Sequence, residues 1–317
     1  MDEHRDEAQG ASVLGEGRSS QTRGPATGDF ERAATLERRY RSLVWRKFRR
    51  HRTAVVGTAV ILFLVVASFV GPVISPYEIY GYDLERMVEA PSLLHPMGTD
   101  DLGRDELTRI LAGGRISMSI GVLASVISVV VGSVTGSVAG FYGGKADSVL
   151  MRITDLMMSF PQILLMILFA TLFGRNLTSI AAVIGLLGWM HVARLVRASF
   201  LSLKEEEFVL AAKAVGAGSG RLIVRHIYPN AMGPLLVAAT LGVAQAIILE
   251  SALSYLGLGV QLPVASWGSM LRLAQNQIAT ATYLSVFPGL LIVITVLSIN
   301  FIGDGLRDAL DPRHLLK

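Results

Sequence analysis

Long apolar runs alternate with shorter polar stretches along this chain. Six runs stand out, at 53–74, 116–140, 149–173, 177–195, 233–258 and 283–303. At a rise of about 1.5 Å per residue, each predicts a helix able to cross a hydrocarbon core of about 30 Å, the fourth with little to spare. None has the strict alternation of barrel strands, and lipid admits only helices or closed barrels. The pattern therefore predicts an all-α membrane protein with six transmembrane helices. It divides the chain into a polar, partly disordered tail (1–52), a first helix (53–74), an outer loop (75–115), a five-helix core (116–303) and a C-terminal tail (304–317).

One polar stretch, 201–232, interrupts the second half. Ser202 followed by Glu205 predicts a capping box, and Glu205, Glu206 and Glu207 suit the positive end of a helix. A short Ala-rich helix is expected over about 208–215, with Ala211 and Ala212 inside it. Gly216, Gly218 and Gly220 break it. A second short helix is expected over 221–228, with Arg221 and Arg225 one turn apart, and Pro229 is expected to stop or bend it. This knuckle is too polar to lie in lipid.

Several residues within and beside the runs carry candidate chemistry. In the second run Ser128, Gly132, Gly136 and Gly140 recur every fourth position, a stripe that lets helix backbones approach closely in a bundle or against a sister subunit. In the third, Arg152 and Asp155 predict a local ion pair and Pro161 predicts a kink. In the fifth, Glu250 lies about 25 Å along a helix starting at Gly233. An ionisable residue there is either a pathway group or a partner in a hydrogen bond between helices. In the outer loop His95, Asp100, Asp101, Asp105 and Glu106 invite a metal reading. Their spacing matches no ligand code, so Thr99 and Asp100 are read as helix caps and Asp105 with Arg109 as an i,i+4 pair.

Charge sets the orientation. Of 29 Lys and Arg residues, only Arg86, Arg104, Arg109, Arg115, Arg175 and Arg272 fall on the outer side if the N-terminus is inside. The positive-inside rule then places both termini and the 201–232 knuckle in the cytoplasm. The basic stretch LERRYRSLVWRKFRRHR, 36–52, reads as positive charge flanking a membrane span and not as a nucleic-acid patch. The chain has no cysteine, which excludes disulfides and thiol chemistry. The nearest string to a P-loop, GFYGGKA at 140–146, lacks the first glycine and the Ser or Thr that holds magnesium. No cofactor, metal or catalytic site is expected, and any ATP hydrolysis belongs to partners.

Four segments carry a resemblance: EFVLAAKAVGAGSGRLIVRHIYPNA at 207–231, the HPMGTDDLGRD run at 95–105, ILESALSYLGLG at 248–259 and GDGLRDALDPR at 303–313. Together they resemble the dipeptide/oligopeptide/nickel permease family of ABC importers, the first through its EAA loop. In that loop Leu210 stands where the motif name places Glu. The resemblance implies the type I ABC importer permease fold and a cell-membrane location in a bacterium or archaeon. It implies a second homologous permease subunit, two cytoplasmic ATPase subunits and an extracytoplasmic substrate-binding protein as partners. Glu207, Ala211, Ala212, Gly216, Arg221, Arg225 and Pro229 would then couple the ATPases to the membrane helices. The expected cargo is a di- or oligopeptide, with nickel or another small solute as the alternative. An ion-gradient transporter is the rival class, and it would need several buried charges where chiefly Glu250 and Asp155 are found.

Overall fold

The structure, a computed structural model, describes residues 42–311. The expectations for residues 1–41 and 312–317 lie outside the described residues. Residues 44–50 are helical. They are followed by α1 (Arg52–Ile74), α2 (Glu106–Tyr142), α3 (Gly144–Met158), α4 (Gln162–Phe173) and α5 (Leu177–Leu203). Then come α6 (Glu207–Ala214), α7 (Ser219–Tyr255), α8 (Trp267–Ala274) and α9 (Tyr283–Leu310). Helices α1, α2, α5, α7 and α9 are each long and apolar enough to cross a membrane, and α3 with α4 makes a sixth crossing if the bent pair counts as one.

Helix α2 is the axis of the bundle, packed against α1, α5 and α7. Its small-residue stripe faces the chain's own α5 and not a sister subunit. A Cβ on Gly132 would stand 2.7 Å from the Trp189 carbonyl oxygen, and one on Gly140 would stand 2.8 Å from that of Arg197. Gly136 lies closer still to the Ala193 carbonyl. In return Gly185 of α5 meets the Ala124 carbonyl of α2. Acyl chains are as apolar as leucine, so close packing has to hold such a pair together in lipid. Ile120, Ala124, Ile180, Ile184 and Leu187 fill the seam, joined by Ala246 and Leu253 from α7.

The third apolar run bends far more sharply than a proline kink. It breaks into α3 and α4, which stand at 88° to each other. Proline disfavours helix in the residue before it and cannot donate a backbone hydrogen bond. Here Pro161 takes extended ψ and becomes the N-cap of α4, its carbonyl accepting from Leu164 at 3.0 Å. The expected Arg152–Asp155 pair does not form either. Asp155 pairs with Arg194 of α5, and Asp147 accepts from Arg197 Nη2 at 2.6 Å. The two pairs tie α3 to α5.

The outer loop is a clasp made largely of charge. The N-cap of α2 is Asp105, not Thr99 or Asp100, and it accepts from the Thr108 backbone at 2.8 Å. Arg109 pairs with Asp100 (3.1 Å) instead of Asp105, and Asp105 holds His95 Nδ1 (2.9 Å). Asp100 also takes Arg104 Nε at 2.7 Å and the backbone N–H groups of Leu102 and Arg104. The glycines of the motif have backbone reasons. Gly98 and Gly103 have φ of +79° and +71°, and a side chain on Gly103 would run into the Asp83 backbone. Tyr283 at the start of α9 donates to the Glu89 carbonyl at 2.7 Å and pins the loop across the bundle.

Candidate functional site

The 201–232 knuckle begins where α5 ends. Ser202 lies in the last turn of α5, so the predicted capping box is absent. The N-cap of α6 is Glu206, which makes no side-chain cap. Helix α6 runs over Glu207–Ala214 and closes with two bonds. Gly216 N–H donates to the Lys213 carbonyl and Ala217 N–H to the Ala212 carbonyl, each at 3.0 Å. With Gly216 at φ +88°, this is a Schellman stop, which needs a left-handed residue at that position. Nothing among the described residues lies within 4 Å of where a Gly216 Cβ would be, so among them the demand for glycine comes from φ alone.

The second short helix does not end at Pro229. Residues Ser219–Arg221 lead into a π-helical segment, Leu222–Ile227, which runs on into the α-helix Tyr228–Tyr255. Pro229 sits in the first turn of that α-helix, where a missing N–H costs little. The wider π turn spares the ring a clash with the carbonyl one turn back. The Asn230 amide donates to the His226 carbonyl at 2.7 Å. The knuckle is therefore rigidly continuous with a membrane helix.

Its inner face is seated on the bundle. Val209, Leu222, Ile227 and Ala231 are buried with Val192, Val196 and Phe200 of α5. Its outer face is open: Glu207, Ala211, Gly216, Arg221, Arg225 and Pro229 are exposed, and Ala212 is half-buried. Val215 and Val224 are 90% and 71% exposed, and Leu210 is exposed as well. The predicted coupling residues thus share one segment whose underside is fixed and whose top carries apolar and charged groups facing outward. Arg221 and Arg225 form no ion pair among the described residues.

Glu250 lies elsewhere and is wholly buried. Ser117 of α2 donates to its Oε2 at 2.9 Å and Ser254, one turn on in α7, donates to Oε1 at 2.6 Å. Ser266, the N-cap of α8, donates to Ser254 at 3.2 Å, and the Trp267 backbone N–H donates to Ser117 at 3.2 Å. Trp267 Nε1 donates to the Ile110 carbonyl at 3.0 Å. Glu250 thus sits in a hydrogen-bond network that joins α2, α7 and α8. The sequence reading did not identify its two partners, Ser117 and Ser254. Serine is common in membrane helices, and nothing local marks a bond between residues 133 positions apart.

A family model described as "Binding-protein-dependent transport system inner membrane component" matches residues 132–315. A second, "N-terminal TM domain of oligopeptide transport permease C", matches 40–96. The chain is 44% identical over 270 residues to the oligopeptide transport system permease protein OppC of Escherichia coli (strain K12), covering 84% of this chain and 89% of that one. It is 41% identical to OppC of Bacillus subtilis (strain 168), covering 84% and 88%. It is 40% identical to the dipeptide transport system permease protein DppC of the same organism, covering 86% of each. Among solved structures it is similar to a chain of the MetNI methionine ABC transporter in inward-facing conformations. That match has a TM-score of 0.52 and 18% identity, over 64% of this chain and 96% of the other, and it shows a shared fold.

Proposed function

Since this chain belongs to the family of binding-protein-dependent transport inner membrane components and has the type I ABC importer permease fold, we propose that it is the peptide-importing permease half of such a system, driven through the 201–232 knuckle. The cargo reading follows its oligopeptide and dipeptide permease relatives. A second homologous permease subunit completes the pathway. Of two cytoplasmic ATPases, one docks on Glu207, Ala211, Ala212, Gly216, Arg221, Arg225 and Pro229 of this chain, and an extracytoplasmic binding protein delivers the peptide to the other face. The core that does this is 116–303, set in the cell membrane of a bacterium or archaeon.

The observation that carries this reading is the knuckle's continuity with the bundle. A push on α6 passes through Val209, Leu222 and Ile227 into α5 and α7 as a rigid body, because these side chains are close-packed. The ion-gradient alternative loses its charges. Asp155 is paired with Arg194, and Glu250 is held by serines.

Both termini and the knuckle are read as cytoplasmic. The close approach of Gly305 to Ala54, and of Gly233 to Leu310, supports a common side for them. The absence of cysteine makes a clean test of it. Ala90 and Ser219 are both exposed. In intact cells Ala90→Cys should react with a membrane-impermeant thiol reagent and Ser219→Cys should not, while both should react in opened membranes. The reverse pattern puts the knuckle out of reach of any cytoplasmic ATPase and sinks the reading.

Glu250 serves this function as glue between helices. Glu250→Leu leaves the Ser117 and Ser254 hydroxyls without their acceptor, at a cost of about 1–3 kcal/mol. The variant should still insert, since loss of an ionisable group eases entry into lipid, and uptake should fall by about fivefold or more. Glu250→Gln keeps an acceptor oxygen and should retain most uptake. Equal uptake by Glu250→Leu and the unaltered protein would remove Glu250 from the working parts.

A further inference from the structure

A cavity of about 580 Å³ opens between α2, α4, α5 and α7, and its wall carries Ser125, Ser128, Gln162, His191 and Gln245. Volumes of this size hold small ligands. The two serines are already engaged, Ser125 donating to the Ala239 carbonyl at 2.7 Å and Ser128 to that of Gly185 at 2.9 Å. The other three differ. The side chains of Gln162, His191 and Gln245 have no hydrogen-bond or ion-pair partner among the described residues. They come from three helices: Gln162 opens α4 at the break, His191 lies midway along α5, and Gln245 lies within α7. All three side chains lie on the wall of the cavity, Gln162 half-buried and His191 and Gln245 exposed.

Polar side chains within membrane spans face a bundle interior or a watered route, because lipid offers them no partner. Two carboxamides and an imidazole supply both donors and acceptors. Such a set matches the repeating N–H and C=O of an extended peptide and is indifferent to the charge and shape of its side chains. The rest of the wall is largely aliphatic, with Leu241 and Leu249, and accommodates varied residues. A membrane helix of a partner subunit is a poorer fit, since its backbone groups are already bonded within the helix.

Resting on the reading that this chain moves peptides, we propose that the cavity is a contact station on the route, where Gln162, His191 and Gln245 hydrogen-bond the backbone of the passing peptide. The test uses the full complex in proteoliposomes, with its partner permease, ATPases and binding protein, and trialanine as cargo. The His191→Leu/Gln245→Leu double variant should still co-purify with its partners but take up trialanine at least tenfold more slowly. In the same assembly Gln245→Cys should react with a small water-soluble methanethiosulfonate, and saturating trialanine with ATP should slow that reaction. Uptake by the double variant within twofold of the unaltered complex overturns the station and leaves the peptide reading intact. Loss of co-purification, or a Gln245→Cys that reacts in the isolated subunit and not in the complex, makes the cavity a subunit interface and also overturns it. No trialanine uptake by the unaltered complex overturns the peptide reading itself, and this inference with it.

Discussion

Replacing Gly216 by leucine is expected to abolish ATP-driven uptake, by about tenfold or more, with the protein still in the membrane and folded. Gly216 holds φ +88° at the end of α6, and the last two bonds of that helix depend on it. A leucine there bears about 1–3 kcal/mol of local strain, so the turn opens and α6 loses its angle to the π segment. Nothing among the described residues lies within 4 Å of the new Cβ, so the bundle itself meets no collision. The damage stays in the knuckle. A pull-down of the ATPases and an uptake assay on the same membranes read it. Gly216→Asn separates two causes, because asparagine tolerates the left-handed region. If asparagine restores uptake, the backbone turn is what matters. If it restores nothing, the docked partner leaves no room for a side chain. If Gly216→Leu itself keeps both docking and uptake near normal, the knuckle is not the coupling element.

Gly136→Leu should strike the bundle itself. The Gly136 Cα faces the Ala193 carbonyl and the Arg197 backbone nitrogen, neither of which can rotate away as a side-chain tip would. Admitting a side chain forces α2 and α5 apart along the stripe from Gly132 to Gly140, at about 3 kcal/mol or more. The pair Asp147–Arg197 and the cluster around Phe200 lie at the same end and should loosen with it. The expected result is a marked fall in thermal stability in detergent and poor recovery of the assembled complex. Gly136→Ala should be milder and still harmful. Gly289→Ala is the control: among the described residues its new Cβ would meet only Leu271, at 3.8 Å, and stability should hold. Full stability of Gly136→Leu would mean that the stripe does not set the spacing of these helices.

The two glycines illustrate how far local pattern reaches. Both were visible in the sequence, one as a helix breaker and one in a four-residue repeat, because backbone conformation and helix periodicity are properties of neighbours. Only the folded chain assigned Gly136 to α5 rather than to a sister subunit. Prolines divide the same way. Pro161 and Pro229 were both read as interruptions, yet one ends a helix at a bend of 88° and the other rides within a continuous helix. The difference lies in whether the surrounding contacts offer the freed carbonyls a partner and the ring some space, and a π turn does so at Pro229. Gln162, His191 and Gln245 carried a signal too, since each is polar within or at the mouth of an apolar run, but uncharged residues do not stand out as Glu250 does.

The sequence by itself determined the number of apolar runs, the polar knuckle between α5 and α7, and the glycine that ends α6. These follow from hydropathy and backbone sterics over a few residues, which the chain carries wherever it folds. The tertiary structure alone decided that Arg109 meets Asp100 and not Asp105, that Asp155 meets Arg194 and not Arg152, and that Ser117 meets Glu250. Each of those choices depends on the rotation of a helix about its own axis. That rotation is set by interlocking side chains along the whole seam, so no short stretch of sequence contains it.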